Sequence, residues 1–214
     1  MLRRYIGSTA LRLTGWRVEG AEPSPDASCI FVGAPHTSGW DSVLMLAVAW
    51  RYDLRIRFLI KQEIGAGPFG FFWRAVGGIP VNREDPGPLV EKLVAMARED
   101  RGFQLVITPK GTRKKTDYWK SGFYRLGRST HLPVMMVSPD GPTRVVTFAA
   151  PFHLSGDVVA DMDRIREFFA DKRGVNPSRR AEPRLRAEDD AAAREELLAT
   201  STPFGTNPGE DTNG

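Results

Sequence analysis

The sequence contains few of the residues from which disulfide-bonded and metal-binding proteins are built. Cys29 is the only cysteine among 214 residues, so neither an intrachain disulfide nor a cysteine-rich zinc site can form. It lies in an apolar stretch, which predicts a buried structural thiol. The lack of disulfides suits a reducing compartment. Of the three histidines, His131 and His153 have apolar neighbours and no cluster of acidic residues nearby. We therefore expect no metal ion and no bound cofactor.

Long apolar stretches are absent as well. The longest spans residues 43–50, far short of the roughly 20 residues that a helix needs to cross a bilayer. Residues 1–17 do not resemble a signal peptide, because Arg12 interrupts their apolar part. Their apolar residues recur with helical spacing and arginines border them, which predicts an amphipathic lead. Two placements fit this helix equally: in a membrane interface, or packed on the core of the domain.

What the sequence does contain suits one domain with a packed core. Hydrophobic residues make up 41% of the chain, and the length is that of a single domain. The formal net charge of +4 favours an anionic partner. Membrane lipid, a nucleotide and nucleic acid all satisfy that condition, so charge alone does not distinguish them.

Short β-rich stretches alternate with amphipathic stretches along the chain, which predicts an α/β fold. The predicted strands are residues 29–32, 56–60, 78–81, 104–107, 133–137 and 144–148. The predicted helices are residues 38–52, 69–76, 88–100, 123–130 and 158–170. Only a short turn joins the last two strands, so they must be antiparallel. We therefore expect a mixed, mostly parallel sheet flanked by helices.

The composition changes near residue 172, where large apolar residues become rare and charged residues take over. We accordingly assign residues 1–17 to the amphipathic lead, 18–171 to the folded domain and 172–214 to a charged, largely disordered tail. Within the tail, residues 187–198 have the pattern of a solvated helix.

The first candidate for chemistry lies between the first strand and the first long helix, at the edge of the sheet where α/β proteins bind ligands. His36 is followed by Ser38, a suitable helix N-cap, and by Asp41, in the first turn of that helix. A carboxylate on one imidazole nitrogen leaves the other nitrogen to take a proton from a hydroxyl. Backbone N–H groups near Ser38 and Gly39 are candidate donors to an oxyanion. Taken alone, the pair fits equally well a loop histidine beside an aspartate that serves the helix terminus.

Two further groups of polar residues follow predicted strands. Arg83 comes directly after the strand at 78–81. The loop after the strand at 104–107 combines a glycine, a hydroxyl and positive charges, in Lys110, Gly111, Thr112 and Arg113. Such groups suit phosphate binding. Because all three groups follow strands, we expect them to face one pocket.

These segments together resemble the 1-acylglycerol-3-phosphate (lysophosphatidic acid) acyltransferase family, the glycerolipid acyltransferases marked by an H-x-x-x-x-D motif. His36 and Asp41 match that pair, and Ser38 stands where the family often has serine. Residues 131–135 resemble the last block of the family, which is built around a proline.

The two middle blocks of the family also have counterparts here. Residues 61–70, which begin with Lys61, and residues 78–83 resemble the second block. That block ends in an arginine, here Arg83, which the family associates with the acceptor phosphate. Residues 109–113 stand where the family has P-E-G-T-R. The four blocks occur in family order, which makes the resemblance specific.

The resemblance implies an O-acyltransferase of phospholipid biosynthesis in which His36 is the general base and Asp41 orients it. It implies acyl-coenzyme A or acyl-carrier protein as donor, a lysophospholipid acceptor and no metal. It places the protein in the cytoplasm, peripherally bound to the inner face of the cell membrane, with residues 18–171 as the acyltransferase domain. The residues expected to bind substrate are Ser38, Lys61, Arg83, Lys110, Gly111, Thr112 and Arg113.

Two residues depart from the family pattern. Pro35 replaces an asparagine that often precedes the histidine, and Lys110 replaces the glutamate of the third block. The second change reverses a charge in a pocket expected to hold phosphate. The resemblance therefore leaves open whether the acceptor is lysophosphatidic acid or another lysophospholipid.

Two other functions compete with acyl transfer. Residues 65–70 match G-x-G-x-x-G, the pattern of an NAD(P)-dependent oxidoreductase, although four residues separate the pattern from the preceding strand. Residues 110–125 interleave basic and aromatic residues, as in a module that binds nucleic acid or anionic lipid without catalysis. That second function leaves His36 and Asp41 unused, and we expect no nucleic acid partner.

Overall fold

The computed structural model describes residues 1–82 and 87–201. Arg83, the predicted phosphate ligand of the second block, lies outside the described residues, as does the predicted disorder beyond residue 201.

Within the described residues, seven strands form one sheet in the order β1-β7-β6-β2-β5-β3-β4. Neighbouring strands from β6 to β4 run parallel, whereas β7 is antiparallel to β6 and β1 is parallel to β7. The predicted mixed, mostly parallel sheet is confirmed. The strands are β1 (Arg17–Gly20), β2 (Cys29–Gly33), β3 (Arg57–Lys61), β4 (Gly78–Val81), β5 (Gln104–Ile107), β6 (Val134–Asp140) and β7 (Val145–Phe148).

Helices cover both faces of this sheet. The five helices predicted for residues 38–170 are present, each within two residues of its predicted ends. The helices are α1 (Leu2–Leu13), α2 (Trp40–Arg51), α3 (Gln62–Ala66), α4 (Gly70–Ala75), α5 (Gly87–Glu99), α6 (Gly122–Thr130), α7 (Val158–Phe169), α8 (Arg186–Asp189) and α9 (Ala191–Ala199).

The central strand β2 is buried on both sides, as its uninterrupted apolar sequence requires. Ile30 and Val32 point into one core cluster, and Cys29 and Phe31 point into the other. Burial raises the pKa of the Cys29 thiol to about 12. The thiolate is therefore scarce at neutral pH, which agrees with the predicted structural role.

The amphipathic helix α1 packs on α2 through one face and leaves apolar residues in solvent on the other. Gly7 and Leu11 are buried, and Gly7 faces the backbone of Ala47 in α2. On the opposite face, Tyr5 is 73% exposed and Leu13 is 82% exposed. Packing on the core is thus confirmed for one face only. No helix among the residues described has both the length and the apolar character to cross a bilayer.

The segment from residue 172 to Ser201 is folded, which corrects the prediction of a largely disordered tail there. It contains a 3-10 turn (Pro177–Arg179) and the helices α8 and α9. Leu185 and Leu197 are each 1% exposed and belong to the main core cluster. A few apolar residues, widely spaced among charges, therefore suffice to dock this segment, and α9 packs on the core through Leu197 while most of its other residues stay exposed.

Candidate active site

His36 lies in the loop between β2 and α2, beyond the carboxyl end of the central strand. The loops that follow β5 and β3 open at the same edge because these strands run parallel to β2. The backbone of His36 has a φ of 29°, in a region that residues other than glycine seldom occupy. Such a conformation persists only where the surrounding contacts enforce it.

The His36 and Asp41 side chains face each other, as the sequence predicts. Nδ1 of His36 lies 3.1 Å from Oδ2 of Asp41, and the two side chains are only 16% and 10% exposed. The separation is that of an ion pair, but Nδ1 does not meet the angular criteria of a hydrogen bond. Catalytic contacts are often misaligned before substrate binds and tighten in the complex. With Nδ1 facing the carboxylate, Nε2 is the nitrogen left for a substrate proton.

Asp41 also organises the backbone of the loop. Its Oδ2 accepts the N–H of Thr37 at 2.7 Å and the N–H of Ser38 at 3.0 Å. Oγ of Ser38 accepts the N–H of Trp40 at 3.2 Å, but the N-cap residue of α2 is Gly39 and not the predicted Ser38. Asp41 therefore both faces His36 and binds the loop backbone, a geometry that fits either interpretation. The Ser38 N–H is already engaged, so of the two predicted oxyanion donors only the Gly39 N–H is left.

An apolar cavity of about 80 Å³ lies beside the His36–Asp41 pair. It runs between α2 and the sheet, from His36 and Asp41 at one end past Ala49 to Leu54 and Ile56 at the other. Its walls are otherwise almost wholly apolar, with side chains from β2, β5 and β7. A proton-accepting pair thus adjoins a small apolar cavity.

The loop after β5 brings Arg113 to the His36 loop. The Arg113 side chain is exposed, and its guanidinium lies 3.9 Å from the position that a Cβ at Gly39 would occupy. Oγ1 of Thr112 accepts the N–H of Lys114 at 3.2 Å, and the preceding Gly111 is half-buried. Arg113 is therefore a predicted phosphate ligand that lies beside the His36 loop.

Lys110 occupies a different position from the one its charge suggests. The side chain is 2% exposed, and its Nζ donates to the carbonyl oxygen of Arg179 at 2.8 Å. Burial lowers the pKa of Lys110, the nearby Asp41 carboxylate raises it, and the Arg179 charge lowers it. The predicted substrate ligand is thus turned into the protein, toward a segment that the sequence assigned to a tail.

Lys61 ends β3, two strands away from β2 in the sheet, and its side chain is exposed. It lies at the edge of the sheet where His36 lies. The structure brings together His36, Asp41, Ser38, Lys110 and Arg113, and it leaves Lys61 at the side of this group.

The glycines of the G-x-G-x-x-G pattern serve close packing. Gly65 lies inside the short helix α3, where a Cβ would come within 2.6 Å of Cγ of Pro80. A Cβ at Gly70 would lie 2.0 Å from the Gly65 carbonyl oxygen. The pattern therefore does not form the strand-to-helix phosphate turn of a dinucleotide site, and this alternative is not supported.

The aromatic residues at 110–125 are engaged inside the fold, whereas the basic residues Arg113, Lys114, Lys115 and Lys120 are exposed. Trp119 is buried in the core at 4% exposure. The Tyr118 hydroxyl donates to Asp189 at 3.0 Å, and Arg125 pairs with Glu196 at 3.0 Å. These residues hold the C-terminal segment rather than presenting a stacking surface for bases, so the nucleic-acid alternative loses its main support.

The sequence analysis missed the residues that lie against the His36 loop from the C-terminal side. The N–H of Asn176 donates to Oγ1 of Thr37 at 2.9 Å, and Thr37 is fully buried. Gly174 packs against Pro35. The sequence carries no periodic signal for this segment, and Gly174 is the one residue whose type hints at a close approach.

Comparisons with known proteins agree with this arrangement. A family model described as Acyltransferase matches residues 15–140. The chain is 32% identical over 121 residues to a 1-acyl-sn-glycerol-3-phosphate acyltransferase of Streptococcus pneumoniae (strain ATCC BAA-255 / R6), a match that covers 56% of this chain and 44% of that protein. It is 28% identical over 132 residues to a Bacillus subtilis (strain 168) protein of the same name, covering 60% of this chain and 64% of that protein. The chain thus spans less than two thirds of the length of either relative.

A solved structure has the same fold. It is the crystal structure of the 1-acyl-sn-glycerophosphate (LPA) acyltransferase PlsC from Thermotoga maritima, with a TM-score of 0.56 and 16% sequence identity. The match covers 78% of this chain and 74% of that one.

Proposed function

Because the chain belongs to the acyltransferase family, we propose that it moves a fatty acyl group from a thioester to a hydroxyl of a lysophospholipid-like acceptor. The observation that carries this proposal is the His36–Asp41 pair, 3.1 Å apart, at the end of an apolar cavity. The names of the two relatives make 1-acyl-sn-glycerol-3-phosphate the first acceptor to test.

In the proposed mechanism, Nε2 of His36 takes the proton of the acceptor hydroxyl while that oxygen attacks the thioester carbonyl. The Asp41 carboxylate stabilises the imidazolium that forms. Collapse of the tetrahedral intermediate breaks the carbon–sulfur bond, and the thiolate recovers the proton from His36. The products are an ester and a free thiol. General-base assistance of this kind contributes about a hundredfold to ten-thousandfold.

The phosphate of the acceptor, or the phosphates of the donor, would bind near Arg113. Its exposed guanidinium lies beside Gly39, three residues from His36. A forked guanidinium suits bidentate contact with phosphate oxygens. Thr112, Gly111, Lys61 and Arg83 stay predicted contributors to this site.

The direct test is thiol release from palmitoyl-coenzyme A and, in parallel, from palmitoyl acyl-carrier protein. Each donor would be offered 1-acylglycerol-3-phosphate, other lysophospholipids, or the matched 1-acylglycerol without phosphate. We expect acceptor-dependent thiol release that is faster with a phosphorylated acceptor. Absence of release with every donor and acceptor would reject the proposed activity.

We further propose that the protein binds the cytoplasmic face of the membrane peripherally, through the exposed face of α1 and the exposed aromatic residues beyond β3. Leu13 and Tyr5 point away from the domain, and Arg12 lies on the same helix. Phe69 and Phe71 are 71% and 69% exposed at the edge of the sheet that carries His36. An acceptor embedded in the bilayer would then reach the site without leaving the lipid.

Replacing Leu13 with glutamate tests the membrane proposal. We expect binding to phosphatidylglycerol-containing vesicles to weaken about tenfold or more, since an apolar side chain of this size contributes about 1.5–3 kcal/mol on burial. Val159→Glu is the matched control, because Val159 is 40% exposed near the opposite edge of the sheet. Equal losses in a vesicle co-sedimentation assay would contradict a role for α1.

Replacing Ala49 with leucine tests whether the cavity holds the acyl chain. The cavity volume is about half that of the ~150 Å³ cavity that accepts benzene, so the added carbons should fill most of it. A cavity of this size holds only the first few carbons of an acyl chain, so we expect the ratio of kcat/KM for palmitoyl over acetyl donor to fall about tenfold or more. Ala160→Leu, at an exposed position in α7, controls for general effects on stability. An unchanged ratio would show that the acyl chain binds elsewhere.

A further inference from the structure

Residues 172–180, which we call the strap, connect α7 to the C-terminal helices and cross the His36 loop. Their backbone is fixed to three separate loops. The N–H of Asn176 donates to Thr37 at 2.9 Å, the carbonyl of Gly174 accepts the N–H of Gly141 at 3.0 Å, and the carbonyl of Arg179 accepts from Lys110 at 2.8 Å. The strap therefore ties the loop after β2 to the loops after β6 and β5.

The strap touches the two residues on either side of His36. Gly174 has a φ of +76°, and a Cβ there would lie 2.7 Å from Cγ of Pro35 and 2.8 Å from Oγ1 of Thr37. Neither the conformation nor the space allows a side chain. Because His36 itself has a positive φ, its backbone depends on such contacts, and those on Pro35 and Thr37 add to the hydrogen bonds that Asp41 accepts from Thr37 and Ser38.

Lys110 binds the strap and also interacts electrostatically with the Asp41 carboxylate. A buried ammonium is costly unless hydrogen bonds and an opposite charge compensate it. Here the Arg179 carbonyl supplies the bond, and the Asp41 carboxylate is the negative charge that acts on Lys110. A glutamate at this position would set a second carboxylate against both the Arg179 carbonyl oxygen and Asp41.

We propose that Lys110 is a positioning residue that fastens the strap over the His36 loop, and that the strap in turn fixes the orientation of His36. This inference rests on the proposed acyl transfer, since the orientation matters only if His36 takes the proton. It gives Lys110 a different function from a phosphate ligand, because its Nζ is committed inside the protein.

The kinetic test compares three substitutions of Lys110. Lys110→Met keeps the buried stem without the charge, and we expect it to lower kcat about tenfold to a hundredfold with KM for the phosphorylated acceptor unchanged. Lys110→Arg keeps a cationic donor for the Arg179 carbonyl and should recover most of kcat. Lys110→Glu should lose more activity than Lys110→Met. A raised KM with normal kcat, equal losses in the Met and Arg variants, or full activity in Lys110→Glu would each overturn the proposal.

A second variant changes the strap and leaves Lys110 intact. Gly174→Ala should lower kcat to a similar extent, whereas Gly122→Ala, where a Cβ meets no atom within 4 Å, should not. Full activity in Gly174→Ala would contradict the role of the strap.

Limited trypsin digestion tests the strap without reference to activity. Lys172, Arg173, Arg179 and Arg180 offer cleavage sites within it. Lys110→Met and Gly174→Ala should be cut there faster than wild type, and unchanged cleavage in both would overturn the proposal. If wild type releases no thiol yet the variants are cut faster, the strap is held as described and the proposed activity is what fails.

Discussion

Replacing His36 with alanine is expected to lower kcat for acyl transfer by about a hundredfold to ten-thousandfold, the usual contribution of a general base. The substitution removes Nε2, the nitrogen left free when Nδ1 faces Asp41 at 3.1 Å. The Asp41 hydrogen bonds to Thr37 and Ser38 involve only backbone N–H groups of the loop, so they should survive. Thiol release with palmitoyl-coenzyme A and the preferred acceptor gives the measurement.

The positive φ of His36 calls for a second variant. Alanine disfavours this conformation, whereas asparagine tolerates it and cannot act as a base. We therefore expect His36→Asn to be as inactive as His36→Ala. His153→Ala, at an exposed position before α7, is the matched control and should be fully active. Substantial activity in both His36 variants would remove the central claim of the proposed function.

The parts of the site that the sequence predicts are those where one local pattern decides the structure. The apolar run of β2 ends before His36, and the helical period of α2 begins shortly after it. These two patterns place the histidine in a strand-to-helix loop, and a spacing of five residues puts Asp41 in the first turn. The match of the five predicted helices follows from the same periodicity.

The elements that the sequence misses depend on contacts between distant residues. The strand β1 is a four-residue edge strand with mostly exposed residues, so it forms because β7 offers a partner rather than because its own sequence demands it. The strap carries charges and a glycine, and its order comes from hydrogen bonds to loops that lie far away in the chain. A prediction of disorder from composition considers how many apolar residues such a segment contains. It takes no account of hydrogen-bond partners elsewhere in the fold.

Lys110 illustrates the same limit at a single residue. A lysine next to a glycine, a threonine and an arginine has the composition of a phosphate loop, and this pattern predicts a solvent-facing ammonium. The structure places Nζ against the Arg179 carbonyl instead. Which way a long side chain turns depends on an acceptor that lies outside the motif, and no local spacing encodes it.

Two substitutions of Asp41 are expected to separate its two functions. Asp41→Asn keeps an oxygen that can accept the N–H groups of Thr37 and Ser38, but it removes the negative charge that stabilises the imidazolium. Asp41→Ala removes both. We expect each variant to lower kcat by about a hundredfold or more. Only the alanine variant should also lose about 1–3 kcal/mol of unfolding free energy, because it leaves the N–H groups of the buried Thr37 and the half-buried Ser38 without this acceptor.

The comparison of the two variants is decisive because kinetics and stability should diverge. A loss of about 2 kcal/mol corresponds to a fall of roughly 4–8 °C in Tm for a chain of this size. Asp117→Asn, an exposed carboxylate in the loop after β5, controls for a general change in charge. Normal kcat in Asp41→Asn would show that Asp41 serves the loop backbone alone, and His36 would then need another group to stabilise its charge. A low kcat with an unchanged Tm in Asp41→Asn would instead show that the negative charge of Asp41 stabilises the imidazolium, since the hydrogen bonds to the loop would still be made.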